Sequence, residues 1–274
     1  MKVIQTIADL RNALTGTRNV SLVPTMGNLH EGHLSLVNIA LERGDIVVAS
    51  IFVNQLQFGP NEDFARYPRT FERDCKLLTQ AGCNIVFAPT HEEMYPEPQE
   101  CTVYPPAELA DILEGHARPG FFVGVATVVL KLFNIVRPDV AVFGKKDYQQ
   151  LLVIKNMVRQ FALQVQIVGA ETVREPSGLA LSSRNGYLGD RPRLEAVQLY
   201  RTLCDAAAEL RAGKAGREDI EHAASESLRA RGWQPGYVAI RRRQDLRIPG
   251  KKDELLILGA AVLGDTRLID NIEI

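Results

Sequence analysis

Apolar residues up to about residue 170 come in short, nearly continuous runs, and that pattern restricts the fold more than any other feature. The runs at 19–23, 45–53, 84–88, 140–143 and 165–168 read as strands. A strand with one wet face alternates apolar and polar residues, whereas a strand covered on both faces need not. Segments with helical spacing lie among them, at 34–43, 70–80, 124–136 and 148–161. That alternation predicts an α/β fold, a Rossmann-like open parallel sheet with helices on both faces. Ligands of such sheets sit beyond the carboxyl ends of the strands.

The first run opens onto Pro24-Thr25-Met26-Gly27-Asn28-Leu29-His30-Glu31-Gly32-His33, which holds two of the chain's five histidines. A helix N-terminus offers unpaired N–H groups and the positive end of the macrodipole, which together suit phosphate. Gly27 and Gly32 let the backbone approach a ligand without a Cβ in the way. A helix starting near Glu31 turns His30 and His33 to one side, over that anion site. One histidine at a helix start is ordinarily a cap or a surface residue; two, with two glycines behind a buried strand, point to a nucleotide site. Metalloprotease zinc motifs place histidines at i and i+4 on an established helix, not i and i+3 with glycine between, so no protein-held metal is expected.

Beyond about residue 175 the texture changes. Segments 191–212 and 217–231 read as amphipathic helices, and 236–241, 254–263 and 266–269 as strands, the last two joined by a Gly264-Asp265 turn. The expected organisation is a Rossmann-like ligand-binding domain over 1–175 and a smaller α+β domain over 176–274. A formal net charge of −1 gives no electrostatic case for nucleic acid or an anionic membrane. The Arg241-Arg242-Arg243 cluster reads as a solvated strand edge. No run is long enough to span a bilayer, and the first residues lack a secretory pattern. Cys75, Cys83, Cys101 and Cys204 form no CxxC pair and read as reduced thiols, consistent with a cytoplasmic protein.

Two further stretches carry chemistry. Gly144-Lys145-Lys146-Asp147 follows the run at 140–143 and precedes a helix, so it falls at the same sheet edge as the histidine turn. A lysine there neutralises phosphate, and an aspartate accepts from ribose hydroxyls. Ser177-Gly178-Leu179-Ala180-Leu181-Ser182-Ser183-Arg184-Asn185 is a hydroxyl-rich loop whose amides, hydroxyls and guanidinium can close over phosphates. Each alone is as readily a cap or a linker. Neither GxxxxGK[ST] nor GxGxxG occurs, so a P-loop and a dinucleotide fold are both unsupported.

Together these stretches resemble the pantothenate synthetase (pantoate–β-alanine ligase) family, a group within the nucleotidyltransferases that carry an HIGH-type motif. The resemblance spans the chain and is densest at 24–33, 54–70, 118–151 and 174–185. It implies that pantoate and ATP form pantoyl adenylate and pyrophosphate, and that β-alanine then displaces AMP to give pantothenate. It implies Mg²⁺ bound with ATP, and a homodimer. It places nucleotide and pantoate on domain 1–175, with domain 176–274 covering the active site. Carried over by position, the ATP site takes Met26, Gly27, Asn28, Leu29, His30, Glu31, Gly32 and His33. It also takes Gly144, Lys145, Lys146 and Asp147, then Val173, Leu181, Ser182, Ser183 and Arg184. His33, His30, Lys146 and Arg184 are the catalytic set, with His33 as proton donor. Gln57 and Gln150 match the pantoate-binding glutamines, and Gln57 also adjoins β-alanine.

Some positions depart from the family. Gln55 stands where proline is common, Lys145 where glutamate is common, and Phe121 where histidine is common. Leu181 replaces a common methionine at nearly constant volume. Lys145 reverses a charge beside the phosphate lysine, and Phe121 is expected to alter packing or polarity rather than chemistry. The competing readings are another HIGH-type nucleotidyltransferase, which would want a cationic acceptor site instead of glutamines, and a nucleotide-binding relative with reduced turnover.

Overall fold

The computed structural model describes residues 1–60 and 62–274; Asn61, within the stretch 54–70, lies outside the described residues. Six strands form one parallel sheet: β1 (Lys2–Ile4), β2 (Val20–Thr25), β3 (Ile46–Ile51), β4 (Ile85–Phe87), β5 (Val140–Gly144) and β6 (Gln166–Ala170). Their order is β1-β4-β3-β2-β5-β6. Chain order therefore runs outward from β2 on one side through β3, then restarts on the other side with β5. That reversal between β2 and β5 is the switch point at which open α/β sheets bind ligands. Ser21 pairs with Val140 and Leu22 with Ala141, so β2 and β5 end at the same edge.

Burial explains the continuous apolar runs. Val23, Val47, Ala49, Val86 and Val142 share one core with Leu36, Val37 and Ala40 of helix Glu31–Leu41. Their strand neighbours Leu22, Val48, Phe87, Ala141 and Phe143 are buried as well, as two-sided coverage requires. On that second face Phe133 of helix Phe121–Val136 meets Phe143 edge-on, ring centres 6.4 Å apart.

The chain divides into two compact units. One comprises Met1–Pro106, Arg118–Lys145 and Val153–Glu171; the other comprises Ala107–Ala117, Lys146–Leu152 and Thr172–Ile274. In the second unit β7 (Gln234–Arg242), β8 (Leu255–Leu263) and β9 (Thr266–Glu273) form an antiparallel sheet in that order. Helices Gln198–Ala212 and Arg217–Ala230 cover it through Leu199, Leu203, Ile220 and Leu228, which share a core with Ile240, Ile257 and Ala261.

The structure adds and amends elements. Strand β1 and helix Ile7–Leu14 were not read from the sequence. The expected helix at 191–212 is two helices, Asp190–Ala196 and Gln198–Ala212, meeting at Val197, which keeps helical angles. Strand β9 runs on to Glu273 instead of stopping at 269, because Asp270 and Asn271 are buried with partners, not solvated. Among the described residues no helix is long and apolar enough to cross a membrane.

Candidate active site

The turn after β2 is built as the sequence suggests. Helix Glu31–Leu41 starts at Glu31 with His30 as N-cap, and the two imidazole centres lie 4.1 Å apart. His30 Nδ1 accepts the Gly32 N–H at 3.1 Å, and His33 Nδ1 accepts the His30 N–H at 3.3 Å. The two rings thus form a reciprocal capping box from histidines, in place of the usual serine and glutamate. A nitrogen that accepts carries no proton, so each neutral ring is the Nε2–H tautomer and its second nitrogen is a donor. Capping and catalysis are therefore compatible: one nitrogen fixes the ring while the other can donate.

Leu29 is fully buried in the core under the turn, and its N–H bonds the Asp74 carboxylate at 2.9 Å. Gly27 (φ +83°) and Asn28 (φ +50°) both occupy the left-handed region. A Cβ on Gly27 would lie 3.1 Å from the carboxylate of Asp74, close enough to press on it, and the positive φ is the stronger reason for glycine there.

Gln57 lies beside this turn, its Nε2 3.0 Å from Met26 Sδ. Its other amide atom is held from behind. Asn54, 1% exposed, donates through Nδ2 to Gln57 Oε1 at 3.2 Å and to the Gly124 carbonyl at 3.1 Å. The Tyr95 hydroxyl donates to Asn54 Oδ1 at 2.8 Å, which leaves the Asn54 amide oriented one way only. Burial pushes the Tyr95 phenol well above its ordinary range, so it stays a donor across the working pH. Arg118 completes the frame: it donates to the Gln57 carbonyl at 3.2 Å and grips both oxygens of Glu62 at 2.6 Å. Phe121, the departure from the family's histidine, stacks on that guanidinium at 3.7 Å. It is linked to Gln57 through Arg118, a connection the sequence did not reveal.

A cavity of about 530 Å³ opens beside Met26 and Gly27 at the carboxyl ends of β3 and β4. Its wall includes Gln55, Phe64, Asp74 and Thr90.

Gly144 ends β5, and Lys145 begins the turn that follows. The Lys145 ammonium pairs with Glu171, whose side chain is 80% exposed. The charge that departs from the family pattern thus has a local partner.

The second unit carries Lys146, Asp147, Gln150, Val173, Leu181, Ser182, Ser183 and Arg184. Leu181 N–H bonds the Val173 carbonyl at 3.0 Å, which closes these two ATP-site candidates into one hairpin-like loop. Ser182 caps the 3₁₀ turn Ser183–Tyr187 by accepting the Arg184 N–H at 3.2 Å, and its own hydroxyl hydrogen remains to donate. Of the two adjacent glutamines, Gln149 is spent on structure. Its amide donates to the carbonyls of Leu109 and Ile112 and accepts from Glu114 N–H. Gln150 is only partly buried.

Strand β9 anchors both of that unit's stretches. Asn271 donates to the Lys146 carbonyl at 2.9 Å. Asp270, 5% exposed, takes a two-pronged ion pair from Arg174 at 2.6 and 2.8 Å, and Arg174 also stacks on Tyr200 at 3.8 Å. Asp74, Asn54, Arg118, Asp270 and Asn271 were all missed from the sequence. Each depends on a partner far along the chain, and no local motif encodes that.

The model of the pantoate–β-alanine ligase family matches residues 2–273. The chain belongs to the pantoate–β-alanine ligase family. A pantothenate synthetase of Leptothrix cholodnii is 57% identical over the full length of both chains. A crystal structure of the Thermus thermophilus pantothenate synthetase superposes with a TM-score of 0.93 at 46% identity, covering 100% of this chain and 99% of that one. The Francisella tularensis pantoate–β-alanine ligase, solved with a β,γ-ATP ligand and β-alanine, gives 0.80 at 33% identity, covering 100% and 97%. Family membership makes this an ATP-dependent ligase that joins pantoate to β-alanine, and it sets aside the reading as a nucleotidyltransferase of another kind.

Proposed function

We propose that this ligation runs through a pantoyl adenylate, with the residues above in the roles the family resemblance assigns. A pantoate carboxylate oxygen attacks the α-phosphorus of ATP, and the bond to the bridging oxygen breaks, releasing pyrophosphate. The free amine of β-alanine then attacks the acyl carbon, the bond to the AMP oxygen breaks, and pantothenate, AMP and the proton lost by the amine are released.

The observation that carries this reading is the histidine capping box at the carboxyl end of β2. It fixes two Nε2–H donors at a helix N-terminus, where charge develops on the phosphoryl oxygens and on the departing pyrophosphate. Lys146 and Arg184 add cationic donors for the same charge, Gly144 and Asp147 take the ribose, and Val173 and Leu181 border the adenine. Lys145, Ser182 and Ser183 complete the nucleotide set with Met26 to His33. The nucleophile is already ionised at neutral pH and needs orientation more than a base, so Gln57 and Gln150 hold pantoate through neutral amides. Gln57 also receives β-alanine.

Mg²⁺ enters as part of the substrate, with the nucleotide's phosphates. Among the described residues no cluster of three or more His, Cys, Asp or Glu side chains is arranged to hold a metal. A homodimer in the cytoplasm completes the reading, on the family resemblance and on an ordinary, nearly neutral composition.

The test is pantoate-dependent exchange of labelled pyrophosphate into ATP. Exchange with Mg²⁺ before β-alanine is added, then pantothenate and AMP after it, is the expected result. Exchange that needs β-alanine would rule out a preformed adenylate.

A further inference from the structure

Asp74 is 0% exposed, lies in the first turn of helix Phe71–Gln80, and takes no part in the scheme above. Its Oδ2 accepts the Asn28 N–H and its Oδ1 the Leu29 N–H, both at 2.9 Å. The Thr70 hydroxyl lies 3.0 Å from each oxygen. Hydrogen bonds from these donors offset the cost of burying the carboxylate. Two of the donors belong to the backbone directly before His30. Asn28 is held at φ +50°, a conformation that costs free energy for any residue with a Cβ. The carboxylate stabilises it by meeting both N–H groups that the left-handed turn points inward.

We propose that Asp74 is a positioning residue for adenylation: it sets the pitch of the turn and thereby the place of the His30 and His33 imidazoles. This rests on the reading of that turn as the ATP site. His30 begins where the Asp74-bound segment ends, and its ring in turn caps the helix that carries His33. A change of one oxygen at Asp74 is therefore transmitted to both donors without touching substrate. The fully buried Leu29 side chain holds the turn from the core side, so a loss of pitch would be local and not global.

Asp74→Asn keeps the volume but turns one acceptor into a donor facing an N–H. In the folded variant the ATP KM is expected to rise about tenfold or kcat/KM for ATP to fall as much, with the β-alanine KM within roughly twofold of wild type. Thr70→Val removes the third donor and leaves both backbone bonds; it should raise the ATP KM by about two- to threefold. Unchanged KM values in folded Asp74→Asn, with kcat lowered only in proportion to the active fraction, would reduce Asp74 to a stability residue and overturn the proposal. If Asp74→Asn does not fold, Thr70→Val decides, and an unaltered ATP KM overturns it. His33→Ala is measured alongside. A shift in its ATP constants without one in Asp74→Asn defeats the positioning role alone; no shift in either defeats the reading of the turn.

Discussion

At the scale of single residues, polar contacts in this ligase divide into those that hold and those left to act. His30 and His33 each spend Nδ1 on the turn itself, and Gln149, not Gln150, spends its amide on the backbone around Leu109 and Glu114. The motif was legible as a run of letters, but which nitrogen or which glutamine is spent was not, since that depends on tertiary partners. Lys145 gives a prediction of the same kind. Its pair with the exposed Glu171 is a surface ion pair, worth about 0–1 kcal/mol. Lys145→Glu restores the family's common charge but places two carboxylates together. It should lower stability by no more than about 1 kcal/mol and shift the ATP KM less than roughly threefold. A tenfold rise in that KM would put the ammonium on the phosphates instead of on Glu171.

At the scale of elements, the sequence revealed what periodicity can encode and missed what only tertiary contacts decide. Strands β2 to β5 were readable because two-sided burial writes continuous apolar runs, and edge strand β6 shows as the apolar pair Ile167-Val168 although only Ala170 in it is buried. Strand β1 has three residues and two exposed side chains, so it writes no such run. The break at Val197 carries no glycine or proline to mark it, and β9 was cut short because Asp270 and Asn271 look like loop residues until Arg174 and Lys146 are placed beside them. Helix Phe121–Val136 offers the sharpest test of element packing. An added Cβ at Gly124 would come within 2.1 Å of the Leu56 carbonyl oxygen and 2.7 Å of Gln57 N. In an isolated helix Gly→Ala gains about 1 kcal/mol, but overpacking against backbone costs about 3 kcal/mol. The clash wins. Gly124→Ala should lower stability by about 2 kcal/mol and the unfolding midpoint by roughly 4–8 °C. Because Asn54 joins the Gly124 carbonyl to Gln57, the pantoate KM should rise more than the ATP KM. A stabilised variant would mean that the helix and the Gln55–Gln57 turn are not in contact in solution.

At the scale of the whole molecule, the charge inventory bears on how metal and stability are linked. With 32 basic and 33 acidic residues the chain has no net field with which to gather cations. Mg²⁺ that arrives on the nucleotide's phosphates binds the folded state only when nucleotide does, so its effect on stability should depend on ATP. Chelation should accordingly abolish turnover while leaving the unfolding midpoint of the nucleotide-free protein unchanged. ATP with Mg²⁺ should raise that midpoint: at a ligand concentration of about 100 Kd, linkage supplies about 2.7 kcal/mol, or roughly 5–10 °C for a chain of this size. ATP with a chelator should raise it less, because the phosphate charges then repel one another without the metal that neutralises part of them and binds the folded state together with the nucleotide. The measurement is thermal unfolding across the four combinations of nucleotide and metal, read beside activity. A midpoint that falls on chelation without nucleotide would reveal a structural metal site; equal shifts with and without Mg²⁺ would show that the metal serves the chemical step and not ATP binding.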